Sequence, residues 1–94
     1  MDSYFEEIVS ELTYDEMVIL GLLSDQNANS VFKSIKKKSV QEQTNLTDAN
    51  IRKSILRLEA KRFIEINSSS KEYRLYITEY GQLALNKQLQ GEEF

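Results

Sequence analysis

The stretch Thr44–Phe63, TNLTDANIRKSILRLEAKRF, says more about the fold than any other part of the chain. Its apolar residues Ile51, Ile55 and Leu58 recur at spacings of three and four, which places them on one face of a helix. Their spacing therefore predicts an amphipathic helix over residues 48–61, about 21 Å long at about 1.5 Å per residue.

The start and the outer face of this helix are also informative. Thr47 is expected to cap the helix, because its hydroxyl can accept a hydrogen bond from a backbone N–H of the first turn. Asp48 lies next to the positive end of the helix, where a carboxylate is favourable. The face opposite the apolar stripe is mostly small, polar or cationic, and it comprises Ala49, Asn50, Arg52, Lys53, Leu56, Arg57 and Ala60. Such a face is either solvated or in contact with an anionic partner.

The composition limits the possible functions. A chain of 94 residues with 40% hydrophobic content suits one domain, residues 1–94, which buries only about 60 to 65% of its unfolded surface. The sequence contains no Cys and no His, which excludes disulfides, the usual zinc sites and the common Cys/His and Ser/His nucleophile pairs. We therefore expect no enzyme activity, no cofactor and no metal. No apolar run approaches the roughly 20 residues of a membrane span, so a cytoplasmic protein without membrane contact is expected.

The charges are unevenly distributed along the chain. The formal net charge is -3, yet residues 33–74 hold 11 of the 12 Lys and Arg residues and only 5 of the 15 Asp and Glu residues. Phosphate contacts act within a Debye length of roughly 8 to 10 Å, so an acidic chain average does not oppose binding to nucleic acid. A solvated basic face explains the same charges, and charge alone does not decide between the two interpretations.

Helix start signals occur repeatedly in the first half of the chain. In a capping box, a Ser or Thr hydroxyl and a Glu carboxylate three residues later satisfy free N–H groups of a first helical turn. The matching pairs are Ser3 with Glu6, Thr13 with Glu16, and Ser39 with Glu42. Together with apolar spacing, the first two pairs predict helices over about residues 4–11 and 14–24.

The segment Ser30–Thr44 does not suit one continuous helix. Val40 would project about 180° away from Val31, because nine steps of roughly 100° separate them. We therefore predict a break near Lys38, with one short helix over residues 31–37 and another over residues 40–44. Asn45, which tolerates the left-handed conformation, is expected to end the second helix.

The segment FIEINSSSKEYRLYIT, residues 63–78, alternates apolar and polar residues on either side of a Ser-rich tip. This pattern predicts a β-hairpin with strands near residues 63–67 and 73–78. Thr78 is then expected to cap a final helix.

This order of parts, with three local strings, resembles the winged helix-turn-helix domain of MarR and PadR-like regulators. The strings are LTYDEMVILGLL at Leu12–Leu23, RLEAKRFIEI at Arg57–Ile66 and YRLYITEYGQLAL at Tyr73–Leu85. They resemble the family patterns "LT..E..IL..L", "RLE.KG.I" and "Y.LT..G". The resemblance implies a mainly α fold with a small β-hairpin (α+β). The helix-turn-helix would cover about residues 39–61 and the wing about residues 63–78, with additional N- and C-terminal helices.

Two features depart from the family pattern. Arg62 stands where the family usually has Gly after the recognition helix, so this turn either holds Arg62 in a left-handed conformation or ends differently. The connection between Leu23 and Val40 is longer than usual, and residues 36–38, all Lys, lie in the added length. These lysines are candidates for contact with phosphate or with a protein partner.

The resemblance implies binding to double-stranded DNA, with the recognition helix at residues 48–61 in the major groove. Small or amide-bearing residues allow close approach, and Asn can bind adenine bidentately, so Ala49, Asn50 and Lys53 are the candidates for base contact. The wing tip, residues 67–72, would contact the backbone or the minor groove. The candidate DNA-binding residues are Thr47, Ala49, Asn50, Arg52, Lys53, Arg57, Ser69, Ser70, Lys71, Arg74, Lys37 and Lys38.

A single domain of this size presents one recognition helix, so a homodimer is expected. The terminal helices, about residues 3–12 and 79–89, carry more apolar surface than one core needs. The predicted dimer contacts are Tyr4, Phe5, Ile8, Val9, Leu85 and Leu89. The expected role is a transcriptional repressor, with coating of a plasmid or viral partition site as the alternative. A protein-binding scaffold is the second alternative, because Leu56 lies among the cations of the recognition helix.

Overall fold

The computed structural model describes residues 3–67 and 72–91. Within these ranges the chain forms five α-helices, one 3-10 turn and three strands. In chain order they are α1 (Ser3–Ser10), α2 (Tyr14–Asp25), the 3-10 turn (Val31–Lys33), β1 (Ile35–Lys36), α3 (Lys37–Thr44), α4 (Asp48–Ala60), β2 (Ile64–Asn67), β3 (Arg74–Ile77) and α5 (Glu79–Gly91). The α+β class and the winged helix arrangement are confirmed. The predicted order of the second half is confirmed as well, with α4 followed by the β-hairpin of β2 and β3 and then by α5.

The sheet is antiparallel, with strand order β1-β3-β2. In the predicted hairpin, Ile64 pairs with Ile77 and Asn67 pairs with Arg74. The third strand was not predicted: β1 adds to the free edge of β3 through the pairing of Ile35 with Leu75. A strand of two residues is too short to show an alternation of apolar and polar residues, and its partner strand is far away in the sequence.

The prediction of a helix over residues 31–37 is wrong. Only a 3-10 turn forms at Val31–Lys33, and Ser34 is then held in extended conformation (φ -64°, ψ 151°). The Arg74 guanidinium fixes Ser34 by donating to its hydroxyl oxygen at 3.2 Å and to its carbonyl oxygen at 3.0 Å. Sheet pairing through β3 therefore replaces local helical hydrogen bonding in this segment.

The predicted capping box of Ser39 and Glu42 is also wrong, because α3 begins at Lys37 and Ser39 lies inside it. The backbone N–H of Lys37 donates to the carbonyl oxygen of Tyr73 at 2.8 Å. The sheet thus satisfies a free donor at the start of α3.

The predicted helix ends at Thr13, Asn45 and Thr78 agree with the structure, whereas Ser3, predicted to cap the first helix, is the first residue of α1 itself. Thr13 and Glu16 form a full capping box at α2, with both hydrogen bonds at 3.1 Å. Asn45 ends α3 in the left-handed conformation at φ 59°. Arg62 is also left-handed, at φ 64°, so a non-Gly residue accepts that strain in the turn after α4. At α5, the Thr78 hydroxyl oxygen accepts a hydrogen bond from the Gly81 N–H at 2.9 Å.

The terminal helices belong partly to the core of the monomer. Phe5, Val9 and Leu85 are almost fully buried. Tyr80 packs between Phe5 and Phe63, with ring centroids 5.1 and 5.2 Å apart. Phe5, Val9 and Leu85 are therefore corrected from surface dimer contacts to core residues, because α1 and α5 pack against each other.

Candidate nucleic-acid interface

Helix α4 separates its buried and exposed faces clearly. Ile51, Ile55 and Leu58 are buried in the core, and Ser54 between them is buried as well. The outer face is exposed along the whole helix, and it carries Ala49, Asn50, Arg52, Lys53, Leu56, Arg57 and Ala60. The predicted amphipathic helix is confirmed, and its small, amide and cationic side chains face solvent together.

The N-terminal end of α4 is fixed by polar contacts. The Thr47 hydroxyl oxygen accepts a hydrogen bond from the Asn50 N–H at 3.2 Å. The Gln41 side-chain amide of α3 donates to the Asp48 carboxylate at 2.5 Å. Thr47 thus acts as a cap in the structure, and the first turn of α4 is held against the helix before it.

The C-terminal end of α4 is held by a buried carboxylate. Lys61 is the C-cap residue of α4, and its ammonium donates to Glu16 Oε2 at 3.2 Å. The Glu16 side chain is 0% exposed and the Lys61 side chain is 19% exposed. Sequence reasoning found the capping role of Glu16 but missed this partner, because the two residues are far apart in the chain.

The cations near the hairpin differ in their surroundings. Lys38 is exposed and Lys37 is half-buried at the start of α3. Lys36 forms an ion pair with Glu72 at 3.3 Å. The Arg74 guanidinium is directed to Ser34 inside the fold, an arrangement that differs from the expected open phosphate contact. The candidates Ser69, Ser70 and Lys71 lie outside the described residues.

A groove of about 500 Å³ lies between α4 and the hairpin. Its surface is mostly apolar, and its lining residues are Lys37, Arg52, Ile55, Leu56, Glu59, Ile66, Tyr73 and Leu75. Leu56 is 59% exposed and Tyr73 is 58% exposed. The sequence pattern pointed to Leu56 but not to Tyr73, whose position depends on how the hairpin folds back onto α4.

Glu65 and Tyr76 form a cross-strand pair in the hairpin. The Tyr76 hydroxyl donates to the Glu65 carboxylate at 2.9 Å. This hydrogen bond raises the pKa of Tyr76 above its ordinary value of 10.0, with smaller contributions from burial and from the Glu65 charge. The neutral phenol is therefore the favoured form in the fold.

Two further features of the described residues bear on function. No set of three or more carboxylate, His or Cys side chains is grouped closely enough there to bind a metal ion. None of the helices in residues 3–67 and 72–91 combines the length and hydropathy of a membrane span.

Comparison with known proteins assigns the family. No protein-family model matches the chain. The DNA-binding protein TubR of Priestia megaterium is 45% identical over 94 residues, which cover 99% of this chain and 93% of that protein. The chain belongs to the TubR family.

Solved structures agree with that relationship. TubR from Bacillus megaterium pBM400 has a TM-score of 0.89 and 43% identity, covering 94% of this chain and 98% of that one. A MarR family regulator from Neisseria meningitidis has a TM-score of 0.63 at 19% identity, covering 87% of this chain and 58% of that one. The second likeness concerns the fold alone. This TubR-family protein therefore has the winged helix fold that its sequence strings resemble.

Proposed function

We propose that this TubR-family protein binds double-stranded DNA through the exposed face of α4. The observation that carries the proposal is the exposed arrangement of Asn50, Lys53 and Arg57 on one helix, on the side opposite the buried stripe. The name of the TubR relative, a DNA-binding protein, supports it. We also infer that the protein acts by binding and not as an enzyme.

The first half of α4 suits contact with bases. Ala49 and Asn50 are exposed in its first turn, and Lys53 follows one turn later. A major groove roughly 12 Å wide admits an α-helix, and Asn can pair with the N6 and N7 atoms of adenine. We therefore assign readout to Asn50 and Lys53, and close approach of the backbone to Ala49.

The surrounding cations suit contact with phosphates. Arg52 and Arg57 are exposed on α4, and Lys38 is exposed at the start of α3. The sequence places Ser69, Ser70 and Lys71 at the hairpin tip, where they would contact the backbone or the minor groove. Arg74 and Thr47 have internal partners, so we assign them to holding the interface in shape.

We further propose that the protein is a homodimer in a cytoplasmic setting. Tyr4 and Leu89 are exposed on the two terminal helices, and Ile8 is half-buried on the first of them. The same two helices are joined within the monomer by an ion pair of Glu6 with Lys87 at 3.4 Å. With Phe5, Val9 and Leu85 inside the core, the proposed dimer surface comprises Tyr4, Ile8 and Leu89.

Two uses of DNA fit this interface. A transcriptional repressor occupies a discrete operator, whereas a plasmid or viral partition protein coats a longer region. Titration of duplexes of increasing length separates them, because bound protein per duplex stays constant for the repressor and rises with length for the coating protein. A regular increase with length would assign the partition role.

A protein-binding scaffold is the second candidate function. It is favoured by one observation, the mostly apolar groove beside α4 in which Leu56 and Tyr73 are both more than half exposed. A scaffold would not require affinity for nucleic acid.

Salt dependence of binding tests the two candidates. If a dimer makes about six phosphate contacts, affinity for random duplex DNA should fall roughly a thousandfold between about 50 and about 200 mM salt. The variant Lys33→Met, which removes an exposed cation of the 3-10 turn, outside α3, α4 and the terminal helices, serves as the control and should bind as the wild type does. No binding at low salt would overturn the DNA proposal and favour the scaffold.

A further inference from the structure

We propose that Glu16 and Lys61 are a positioning pair, which holds α4 at the angle at which its first turn can read bases. This inference rests on the proposed DNA binding, and it assigns Lys61 a role other than contact with phosphate. The geometry of the two ends of α4 carries the argument.

Both oxygens of the buried Glu16 carboxylate are used. Oε1 accepts the Thr13 N–H at 3.1 Å, and Oε2 accepts the Lys61 ammonium at 3.2 Å. The capping box fixes the carboxylate rigidly at the start of α2. The Lys61 ammonium at the end of α4 is therefore bound to a carboxylate whose position is fixed. In a surface ion pair, by contrast, both side chains can move in the solvent.

The N-terminal end of α4 is connected to α2 indirectly, through hydrogen bonds of α3. Asp48 is bonded to Gln41 of α3, and Gln43 of α3 accepts from the Gln26 side chain at the end of α2 at 2.6 Å. These amide contacts are exposed to solvent. In the contact between Lys61 and Glu16, by contrast, the Glu16 side chain is fully buried. Of the polar contacts that supplement the buried stripe of α4, the charge pair is therefore the better protected.

The angle of α4 matters because Asn50, in its first turn, lies at the end of the helix remote from Lys61. Helix α4 is 13 residues long, or about 19 Å at about 1.5 Å per residue. A tilt of about 5° at its C-terminal end would move the first turn by roughly 1.7 Å at that length. Such a displacement is enough to break bidentate hydrogen bonds to bases, which require donor–acceptor distances of about 2.7 to 3.2 Å.

The dependence of DNA affinity on salt concentration, called the salt slope here, distinguishes a lysine that positions α4 from one that contacts phosphate. Each phosphate contact contributes about -0.9 to the slope of log affinity against log salt. Removal of a contacting lysine therefore makes the slope shallower and weakens all sequences. Removal of a positioning lysine leaves the slope unchanged and weakens only the preferred sequence.

The test uses two duplexes, one selected by the wild-type protein from a random library and one of random sequence. For Lys61→Met we expect roughly tenfold weaker binding to the selected duplex, with random-duplex affinity and salt slope unchanged. Lys61→Arg, which keeps a cation at this position, should bind the selected duplex as selectively as the wild type does. Lys33→Met is the matched control, because it removes an exposed cation of the 3-10 turn, outside α4 and the terminal helices, and should change neither affinity.

A second variant separates positioning from stability, because Lys61→Met alone leaves a buried carboxylate without its cation. In Glu16→Gln, Lys61→Met the amide oxygen can still accept the Thr13 N–H, and no buried charge remains. We expect this double variant to melt above Lys61→Met but below the wild type, because the buried amide N–H2 group has no acceptor in place of the Lys61 contact, and to keep the loss of selectivity. Each affinity is measured well below the melting temperature of the variant.

Three results would overturn the proposal. A shallower slope for Lys61→Met would make Lys61 a phosphate contact. Wild-type selectivity in the folded double variant would make the pair a stabilising contact only. Absence of wild-type binding to either duplex would overturn the proposed function itself, and the positioning role with it.

Discussion

The backbone carbonyl oxygen of Phe63 occupies space that a Cβ atom on Gly81 would need. That oxygen is fixed, because it accepts the Thr78 N–H at 3.0 Å where the hairpin leads into α5. The first turn of α5 can therefore pack against the residue that precedes β2 only because position 81 has no side chain. The glycine of the "Y.LT..G" string thus has a packing reason in this fold.

Gly81→Ala should destabilise the protein by about 1 to 3 kcal/mol, because the added methyl group forces backbone apart in a packed region. Chemical denaturation measures the change. Gly21→Ala is the matched control, since nothing lies within 4 Å of its added Cβ in α2. That variant should gain about 0.5 to 1 kcal/mol from helix propensity. Equal effects of the two substitutions would contradict the packing argument.

Asn50→Ala and Lys53→Ala should each weaken binding to a selected duplex by about 1 to 3 kcal/mol and alter base preference. Lys38→Ala should instead weaken selected and random duplexes alike, because a phosphate contact carries no sequence information. Fluorescence anisotropy with both duplexes measures these effects. Losses that are equal on the two duplexes for all three variants would show that this face does not read bases.

Stability at high pH should depend on the hydrogen bond from Tyr76 to Glu65. The hydrogen bond, then burial and the Glu65 charge, raise the pKa of Tyr76 in the folded protein above 10.0. The unfolded chain therefore loses this proton first, so the contribution is fully present below about pH 10 and is lost as pH rises through the folded pKa. Glu65→Gln should lower the Tyr76 pKa and make the loss of stability above pH 10 shallower.

Ultraviolet absorbance titration of the tyrosines, with denaturation at several pH values, tests this linkage. Tyr76→Phe identifies the Tyr76 transition by its absence, and it should show the same shallower pH dependence as Glu65→Gln. A Tyr76 transition that is unmoved in Glu65→Gln would show that the Glu65 charge does not contribute to the shift, because the Gln amide oxygen can still accept the hydrogen bond.

Local patterns predicted the parts of this fold that local chemistry determines. Helix α4 was evident from the spacing of Ile51, Ile55 and Leu58 and from the cap at Thr47, since both signals lie within a few residues. The strand at Ile35 was not evident, because it forms only when Leu75 is brought alongside it. Distant partners leave no periodic signal in the sequence.

The same limit applies to the site. The cationic face of α4 follows from periodicity, but the use of Lys61 follows from the placement of Glu16 at the start of another helix. Periodicity also shows that α1 has an apolar face without showing what covers it. In the structure, Phe5 and Val9 are covered by the monomer itself.

Assembly gives the last prediction, with a variant chosen from the exposed residues of the terminal helices. Tyr4 is 68% exposed and Leu89 is 48% exposed, so Tyr4→Glu, Leu89→Glu places charge on the proposed dimer surface without entering the core. Phe5→Glu would instead bury a charge and unfold the domain. We expect the wild type to sediment as a dimer near micromolar concentration and the double variant to sediment as a folded monomer with weaker affinity for the selected duplex.

Tyr14→Glu, at a residue that is 81% exposed on α2, is the control and should remain dimeric. A monomeric wild type, or a double variant that stays dimeric, would contradict this assignment and move the search for the interface to other exposed apolar residues.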